Sequence, residues 1–89
     1  RALTRTAANE WGKYAICVNT INPSLRTDAW ESWEAANPEF VQGLKDKMPL
    51  GRLGNPIEDG GPLFVFLAGS GSDYITGMTI MLNGGRHMP

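Results

Sequence analysis

Residues 16–27, ICVNTINPSLRT, decide the fold class of this chain. β-branched residues alternate with other side chains in the first half of this stretch, which predicts a strand over residues 15–21. Apolar side chains fall on both faces of the strand, as they do where helices cover both sides of a sheet. The stretch therefore predicts an open α/β sheet, in which ligands bind beyond the carboxyl ends of the strands. Pro23 and Ser24 follow that end, so we expect residues 22–33 to line any site.

The composition excludes several classes of partner. The chain has 89 residues, which is enough for one domain at most. Its net charge is −1 and its basic residues are scattered, so we expect neither nucleic acid nor a membrane surface as a partner. The only cysteine, Cys17, allows no disulfide framework, and we expect it to be a small buried residue. The sequence contains no signal peptide and no apolar run of membrane-spanning length, which predicts a cytoplasmic protein.

A first helix is predicted over residues 2–12 by spacing of its apolar residues, with Gly12 as the stop signal. The stripe on its apolar face comprises Leu3, Ala7, Ala8 and Trp11. The chain begins in helical rhythm without a cap or an initiator Met, so we expect it to begin inside a helix.

Residues 27–50 are predicted to form a helical flap over the carboxyl end of the strand, because uninterrupted coil of this length is uncommon in compact domains. Asp28 and Glu31 have the spacing of a capping box for a short helix. Asn37 is predicted to cap a second helix whose first residue is Pro38. The apolar stripe of that second helix comprises Phe40, Val41, Leu44 and Met48.

The remainder of the chain predicts a crossover helix and a second strand. Asn55 caps a helix that is expected to reach about Ala68 and to be bent or interrupted at residues 60–62, which are Gly-Gly-Pro. Residues 63–68 are apolar all round, so we expect them to be buried on more than one side. Residues 78–82 form a final strand, parallel to the first and beside it.

The side chains alone give a binding edge and no catalytic set. His87 has no second His or Cys ligand near it, so no metal site is expected. Thr27 either offers its hydroxyl to a ligand amide or caps a helix, and Trp30 and Trp33 either wall an apolar pocket or form flap core. Asn19 is expected to bond neighbouring backbone. Three carboxylates are interpreted as solvated helix faces: Glu31, Glu34 and Glu39. Asp73, which follows the crossover helix, is expected to form a turn, with Tyr74 packed behind it.

Several short motifs follow one another along essentially the whole chain. They are ALTR at 2–5, EWG at 10–12, VNTINP at 18–23, PLGRLG at 49–54, FLA at 66–68, YITG at 74–77 and NGG at 83–85. In this order and spacing they resemble the C-terminal part of the short-chain dehydrogenase/reductase family. The resemblance implies the C-terminal half of a Rossmann-type doubly wound parallel sheet. Residues 1–89 would then be the C-terminal segment of one NAD(P)-binding domain, with residues 27–50 as its substrate flap.

This resemblance implies an oxidoreductase that transfers hydride between NAD or NADP and a small-molecule alcohol or carbonyl substrate. In the family, the proline after this strand packs at the nicotinamide ring, and a nearby threonine with adjacent backbone groups holds the carboxamide. These positions fall on Pro23 and Thr27, with Ser24 where the family usually has glycine. The flap closes over the substrate, which suggests three pocket walls: Trp30, Trp33 and Met48.

The resemblance also implies parts that this chain lacks. The glycine-rich phosphate loop, the catalytic serine and the Tyr-x-x-x-Lys pair would precede Arg1, so the chain holds no catalytic residue and is expected to be inactive alone. The helices that begin near Ala2 and Asn55 commonly build subunit interfaces, which implies a homo-oligomer, either a dimer or a tetramer. The alternative is a non-catalytic assembly or interaction module derived from the same fold.

Overall fold

The computed structural model describes residues 1–88, which contain a two-stranded parallel sheet. Strand β1 runs over Thr20–Pro23 and strand β2 over Thr79–Leu82, with Thr20 opposite Thr79 in the register. The predicted α/β class and the parallel pairing of two strands distant in sequence are therefore confirmed. The second strand begins one residue later than predicted.

Strand β1 begins later than the predicted range of 15–21, because regular pairing exists only where β2 runs beside it. Before Thr20, single hydrogen bonds replace the ladder. The Val18 carbonyl accepts from Gly77 N at 2.8 Å, and Val18 N donates to the Thr76 hydroxyl at 3.0 Å. The apolar pattern of residues 16–19 therefore reflects extended chain, without a full strand.

Two side chains in this extended segment have different outcomes. Asn19 Nδ2 donates to the Ile75 carbonyl at 2.9 Å, and its Oδ1 accepts from Met78 N at 3.1 Å, which confirms the predicted backbone bonding. The prediction that Cys17 is buried is wrong: it is exposed, and its thiol donates to the Asp73 carbonyl at 3.4 Å. Cys17 lies three residues before Thr20, where pairing with β2 begins, so no neighbouring strand of the described residues covers it.

The α-helices of the described residues are α1 (Ala2–Trp11), α2 (Asp28–Ala36), α3 (Pro38–Asp46) and α4 (Gly61–Ala68). Short 3-10 turns lie at Gly12–Tyr14 and Ser70–Ser72. Helix α1 matches its predicted range within one residue. Of its apolar stripe, Ala7 and Ala8 are buried, whereas Leu3 is 82% exposed and Trp11 46% exposed.

The caps of the flap helices differ from the predicted ones. Thr27, not Asp28, caps α2, since the Thr27 hydroxyl accepts a hydrogen bond from Trp30 N at 3.2 Å. Helix α3 begins at Pro38 as predicted, but the Asn37 amide does not cap it. That amide donates backward to the Trp33 carbonyl at 2.9 Å and so ends α2.

The crossover helix changes type in the middle, which confirms the predicted interruption. Asn55 caps a π-helical segment, Pro56–Gly60, by accepting from the backbone N–H groups of Ile57 and Glu58 at 2.8 and 2.9 Å. Helix α4 then starts at the next residue, with Pro62 in its first turn. Pro62 has no N–H to donate to the Glu58 carbonyl, so the hydrogen-bond pattern changes there.

The hydrophobic core is small and its buried members are Ala7, Ala8, Val41 and Met48. The prediction that residues 63–68 are buried is wrong, because Phe64, Val65 and Phe66 are 51%, 73% and 46% exposed. Tyr74 is also fully exposed, not packed behind Asp73. The radius of gyration is 15.8 Å, against about 12 Å for a compact domain of this length. The chain is therefore more extended than a compact domain, and its other described residues leave these apolar side chains of α4 exposed.

None of the helices in residues 1–88 is both long and apolar enough to cross a membrane.

Candidate functional site

The chain leaving β1 is fixed against the connector that precedes the crossover helix. Leu25 forms a parallel bridge with Gly54, Arg26 N donates to the Gly54 carbonyl at 2.7 Å, and Gly54 N donates to the Ser24 carbonyl at 3.1 Å. A Cβ on Gly54 would lie 2.7 Å from Leu25 Cδ2, so any larger residue here would force the Leu25 side chain to move. The carboxyl end of β1 therefore has a defined position, as a ligand site requires.

Two cavities open on either side of Gly54. The larger, of about 540 Å³, lies between the start of α2 and the start of the crossover helix. Its lining includes Arg26, Thr27, Asp28, Glu31, Asn55 and Ile57. The smaller, of about 130 Å³, is lined in part by Ser24, Leu25, Leu50, Arg52, Asp59 and Leu82. Two of the residues predicted to bind cofactor, Ser24 and Thr27, thus line neighbouring cavities.

The three predicted cofactor residues lie at the end of β1 and in the four residues after it. Pro23 is exposed at the last position of the strand. Ser24 is half-buried, and its backbone N–H donates to the Leu82 carbonyl at 2.8 Å. Thr27 is exposed, and its hydroxyl oxygen accepts from Trp30 N. This capping bond uses a lone pair and leaves the hydroxyl proton available to a ligand acceptor.

The predicted pocket walls separate into two groups. Trp30 and Trp33 pack together, with ring centroids 5.0 Å apart, and Trp33 also meets Phe40 edge-on at 5.2 Å. Trp33 is 40% exposed, whereas Trp30 is half-buried and its Nε1 has no hydrogen-bond partner among residues 1–88. Met48 is 4% exposed, so it belongs to the interior of the flap. The structure brings the two tryptophans together, whereas Met48 is buried.

A charged cluster joins the two flap helices to the residue that precedes the flap, and sequence reasoning missed it. We call it the Glu34 cluster, and its members are Arg26, Glu31, Glu34 and Lys45. Arg26 Nε lies 3.1 Å from Glu34 Oε2, and Lys45 Nζ donates to Glu34 Oε1 at 3.2 Å. The Glu34 side chain is only 19% exposed, so its interpretation as a solvated carboxylate is wrong. The signal available in the sequence was one basic residue before α2, Arg26, and another after it, Lys45, either of which could pair with Glu34.

A separate ion pair, Arg52–Asp59, closes the turn that opens the crossover helix. Arg52 Nη1 and Nη2 donate to the two carboxylate oxygens of Asp59 at 2.6 and 3.1 Å, and Asn55 N donates to Asp59 Oδ2 at 2.6 Å. Asp59 therefore bonds the backbone N–H of the cap residue Asn55 in return, as the acidic residue of a capping box does. Hydrogen bonds from Arg52 and then from Asn55 N lower the pKa of Asp59 to about 2. The same pairing raises the pKa of Arg52.

Residues 1–88 contain no cluster of three or more His, Cys, Asp and Glu side chains placed to hold a metal ion.

Comparison with known proteins identifies sequence relatives. Residues 1–87 match a family model described as enoyl-(acyl carrier protein) reductase. The chain is 41% identical over 83 residues to 2-dehydro-3-deoxy-D-gluconate 5-dehydrogenase of Escherichia coli, covering 93% of this chain and 32% of that enzyme. It is 36% identical over 87 residues to 2,3-dihydroxy-2,3-dihydro-p-cumate dehydrogenase of Pseudomonas putida, covering 97% and 33%. It is 38% identical over 85 residues to 12alpha-hydroxysteroid dehydrogenase of a Clostridium species, covering 96% and 33%.

Solved structures give the same fold. An NADPH dependent reductase involved in bacilysin biosynthesis superposes with a TM-score of 0.86 at 25% identity, covering 99% of this chain and 36% of that one. A short-chain type dehydrogenase/reductase from Mycobacterium ulcerans superposes with a TM-score of 0.82 at 30% identity, covering 96% and 30%. The sheet is therefore of the Rossmann type. The chain spans about a third of the length of the curated relatives it matches.

Proposed function

Because the chain belongs to the enoyl-(acyl carrier protein) reductase family of short-chain dehydrogenases/reductases, we propose that it is the C-terminal part of an NAD(P)-dependent oxidoreductase. The match over residues 1–87 carries this proposal. Residues 1–89 are one segment of a single NAD(P)-binding domain. The phosphate-binding loop and the catalytic residues belong to the remainder of that domain, and this chain contributes the nicotinamide end and the substrate flap.

The proposed cofactor, NAD or NADP, lies at the carboxyl end of β1, where sheets of this type bind ligands. Pro23 packs against the nicotinamide ring, and the exposed Thr27 hydroxyl donates to the carboxamide oxygen. The capping bond from Trp30 N supports this role because it holds the hydroxyl oxygen in place while leaving the proton available. The Ser24 N–H and carbonyl are both bonded to protein backbone, so its side chain is the group that it can offer.

The proposed substrate is a small molecule with an alcohol or carbonyl group. The curated relatives are named for a deoxygluconate, a dihydroxy-dihydro-cumate and a hydroxysteroid, which share that reactive group. The bound cofactor supplies or accepts the hydride. Within this chain, the packed pair Trp30 and Trp33 forms an apolar wall over the site, and Met48, which is buried among residues 1–88, is a third candidate wall. We place the whole enzyme in the cytoplasm as a homo-oligomer.

The second candidate is a non-catalytic assembly module of the same fold. The exposed residues Phe64, Val65 and Phe66 on α4 favour it, since apolar helix faces of this kind mark contact surfaces.

Cofactor binding by the full-length protein that contains this chain separates the two candidates. Titration with NADH and NADPH, followed by fluorescence of the reduced nicotinamide, is expected to reveal saturable binding of at least one cofactor. Turnover would then be measured with a panel of sugar acids, cyclic diols and steroid alcohols. A folded protein that binds neither cofactor would overturn the oxidoreductase proposal and favour the assembly module.

A further inference from the structure

The Glu34 cluster connects elements that are separate in the chain. Arg26 follows β1, Glu34 lies in the last turn of α2, and Lys45 lies in the last turn of α3. One carboxylate therefore faces cations from both the segment before α2 and the helix after it. This arrangement fixes both flap helices to the segment that leaves the carboxyl end of β1.

Burial strengthens these ion contacts relative to ordinary surface pairs. The Glu34 side chain is 19% exposed, and those of Lys45 and Arg26 are 31% and 48% exposed. Charges that are partly removed from water attract each other more strongly and are less screened by salt. Loss of the Glu34 charge would also leave Arg26 and Lys45 without this shared carboxylate. The cluster is therefore sensitive to removal of that one charge.

Thr27 and Trp30 lie between the anchored points. The Arg26 backbone N–H donates to the Gly54 carbonyl, while Arg26 Nε lies 3.1 Å from Glu34 Oε2, an ion contact without hydrogen-bond geometry. Thr27 follows directly, and Trp30 lies one helical turn before Glu34. The buried Nε1 of Trp30 makes no hydrogen bond with residues 1–88, so no such bond fixes its ring. The contact shown for this ring is packing against Trp33, with ring centroids 5.0 Å apart, so its orientation depends on how the flap is held.

We infer that Glu34 is a positioning residue that holds the flap in its binding geometry over the carboxyl end of β1. The inference rests on the proposed function, because it assigns Glu34 to the site formed by Thr27 and Trp30. Glu34 contacts neither the cofactor nor the substrate. Its charge raises the fraction of molecules in which the flap is ordered for binding, so its loss weakens apparent affinity and leaves the chemical step unchanged.

The test uses Glu34→Gln in the full-length protein, with Glu39→Gln as the matched control. Glu39 is an exposed carboxylate on α3, and no ion pair to it occurs within residues 1–88. Glu34→Gln is expected to raise KM for the cofactor roughly tenfold, as when about a tenth of the molecules are competent to bind. The turnover number kcat is expected to change less than about twofold, because the reacting groups are untouched. The control is expected to match the wild-type protein.

A second readout does not depend on activity. With every tryptophan except Trp30 and Trp33 replaced by Phe, Glu34→Gln is expected to increase acrylamide quenching of the fluorescence, because the flap helices separate. Should Glu34→Gln fail to fold, Lys45→Met removes one cation from the same carboxylate and is expected to act in the same direction. Lys45→Arg is expected to restore the wild-type values.

The outcomes separate this inference from the proposed function. An active wild-type enzyme in which Glu34→Gln matches Glu39→Gln in either KM or quenching would overturn the inference alone. A fall in kcat at unchanged KM would overturn it as well. A folded wild-type protein without cofactor binding would overturn the proposed function, and with it the assignment of Glu34 to that site.

Discussion

Arg52 and Asp59 form a two-point ion pair across the turn between the connector and the crossover helix, with Nη1 2.6 Å from one carboxylate oxygen and Nη2 3.1 Å from the other. The pair joins the two sides of the small cavity beside Ser24. Because Asp59 also accepts from Asn55 N, one carboxylate fixes both the cap and the connector. The pKa of Asp59 should therefore report whether this turn is formed.

The pKa of Asp59 is lowered from 3.8 to about 2. A carboxyl group with a lower pKa in the folded state stabilises that state above its unfolded pKa, and this contribution is lost as the pH falls through the folded pKa. We expect the Asp59 carboxyl carbon, followed by NMR in the full-length protein, to titrate near pH 2, with Asp59→Asn providing the assignment. Arg52→Lys removes the two-point geometry, so the pKa of Asp59 should rise. Titration of wild-type Asp59 near 3.8 would show that the pair does not persist in solution.

Substitutions of Thr27 distinguish helix capping from cofactor binding. Thr27→Val removes both the capping acceptor and the hydroxyl donor, so it should destabilise α2 by about 1 kcal/mol and raise KM for the cofactor. Thr27→Asp keeps a capping oxygen but has no proton to donate when ionised, so stability should be retained while KM rises. Thr27→Ser should behave like the wild-type protein, and so should Thr6→Val on the exposed face of α1. A normal KM in Thr27→Asp would exclude the hydroxyl as a cofactor donor.

Local signals predicted most of the secondary structure. Proline at the first position located α3, and the Asn55-Pro56 pair located the start of the crossover helix. The cap of α2 was misplaced by one residue because Thr27 and Asp28 are both good caps, and the choice depends on how the chain leaves β1. The length of β1 was overestimated because apolar alternation indicates extended chain, whereas a strand also needs a partner.

Burial and ion pairing were the least predictable features. The apolar residues of α4 indicated a buried helix, yet burial depends on which other surfaces are present to cover it. Glu34 resembled any other helix carboxylate, because its partners Arg26 and Lys45 are brought to it by the folding of the flap. Asn19 was predictable because a polar side chain in an extended segment between apolar residues must bond nearby backbone, whatever the remainder of the fold is.

The interruption of the crossover helix leads to a prediction about the stability cost of Pro62. Pro62 lies in the first turn of α4, where proline is tolerated, so its cost should be well below the roughly 3 kcal/mol of an interior position. We expect Pro62→Ala to raise the free energy of unfolding by less than about 1 kcal/mol, since one helical N–H is gained. Pro38→Ala, at the preferred first position of α3, should lower it slightly. A loss of stability in Pro62→Ala would show that the proline ring contributes packing.

The 89-residue chain alone is expected to lack dehydrogenase activity. The proposed catalytic acid, which supplies the proton that accompanies hydride transfer, and the phosphate-binding loop belong to the rest of the domain. Purified chain should therefore give no oxidation or reduction of nicotinamide with any substrate that the full-length protein accepts. Thr27→Val should leave this absence of activity unchanged in the isolated chain. Cofactor-dependent turnover by a sample whose intact mass is 9.7 kDa would contradict the proposed division of the site.

The isolated chain is also not expected to be a free monomer. Its accessible surface is 6456 Å², against about 5100 Å² for a compact protein of this mass. Within residues 1–88, each strand has one neighbour, so one edge of each is open to pairing with another chain, and a two-stranded sheet is marginal by itself.

Sedimentation equilibrium at micromolar concentration should therefore report species heavier than 9.7 kDa. The exposed face of α4 is the surface expected to contribute most, because Phe64, Val65 and Phe66 expose apolar area that water disfavours. Val65→Glu should weaken self-association, whereas Ser32→Glu, on the exposed side of α2, should not. A monodisperse monomer that melts cooperatively would show that the sheet and α1 are stable without further strands.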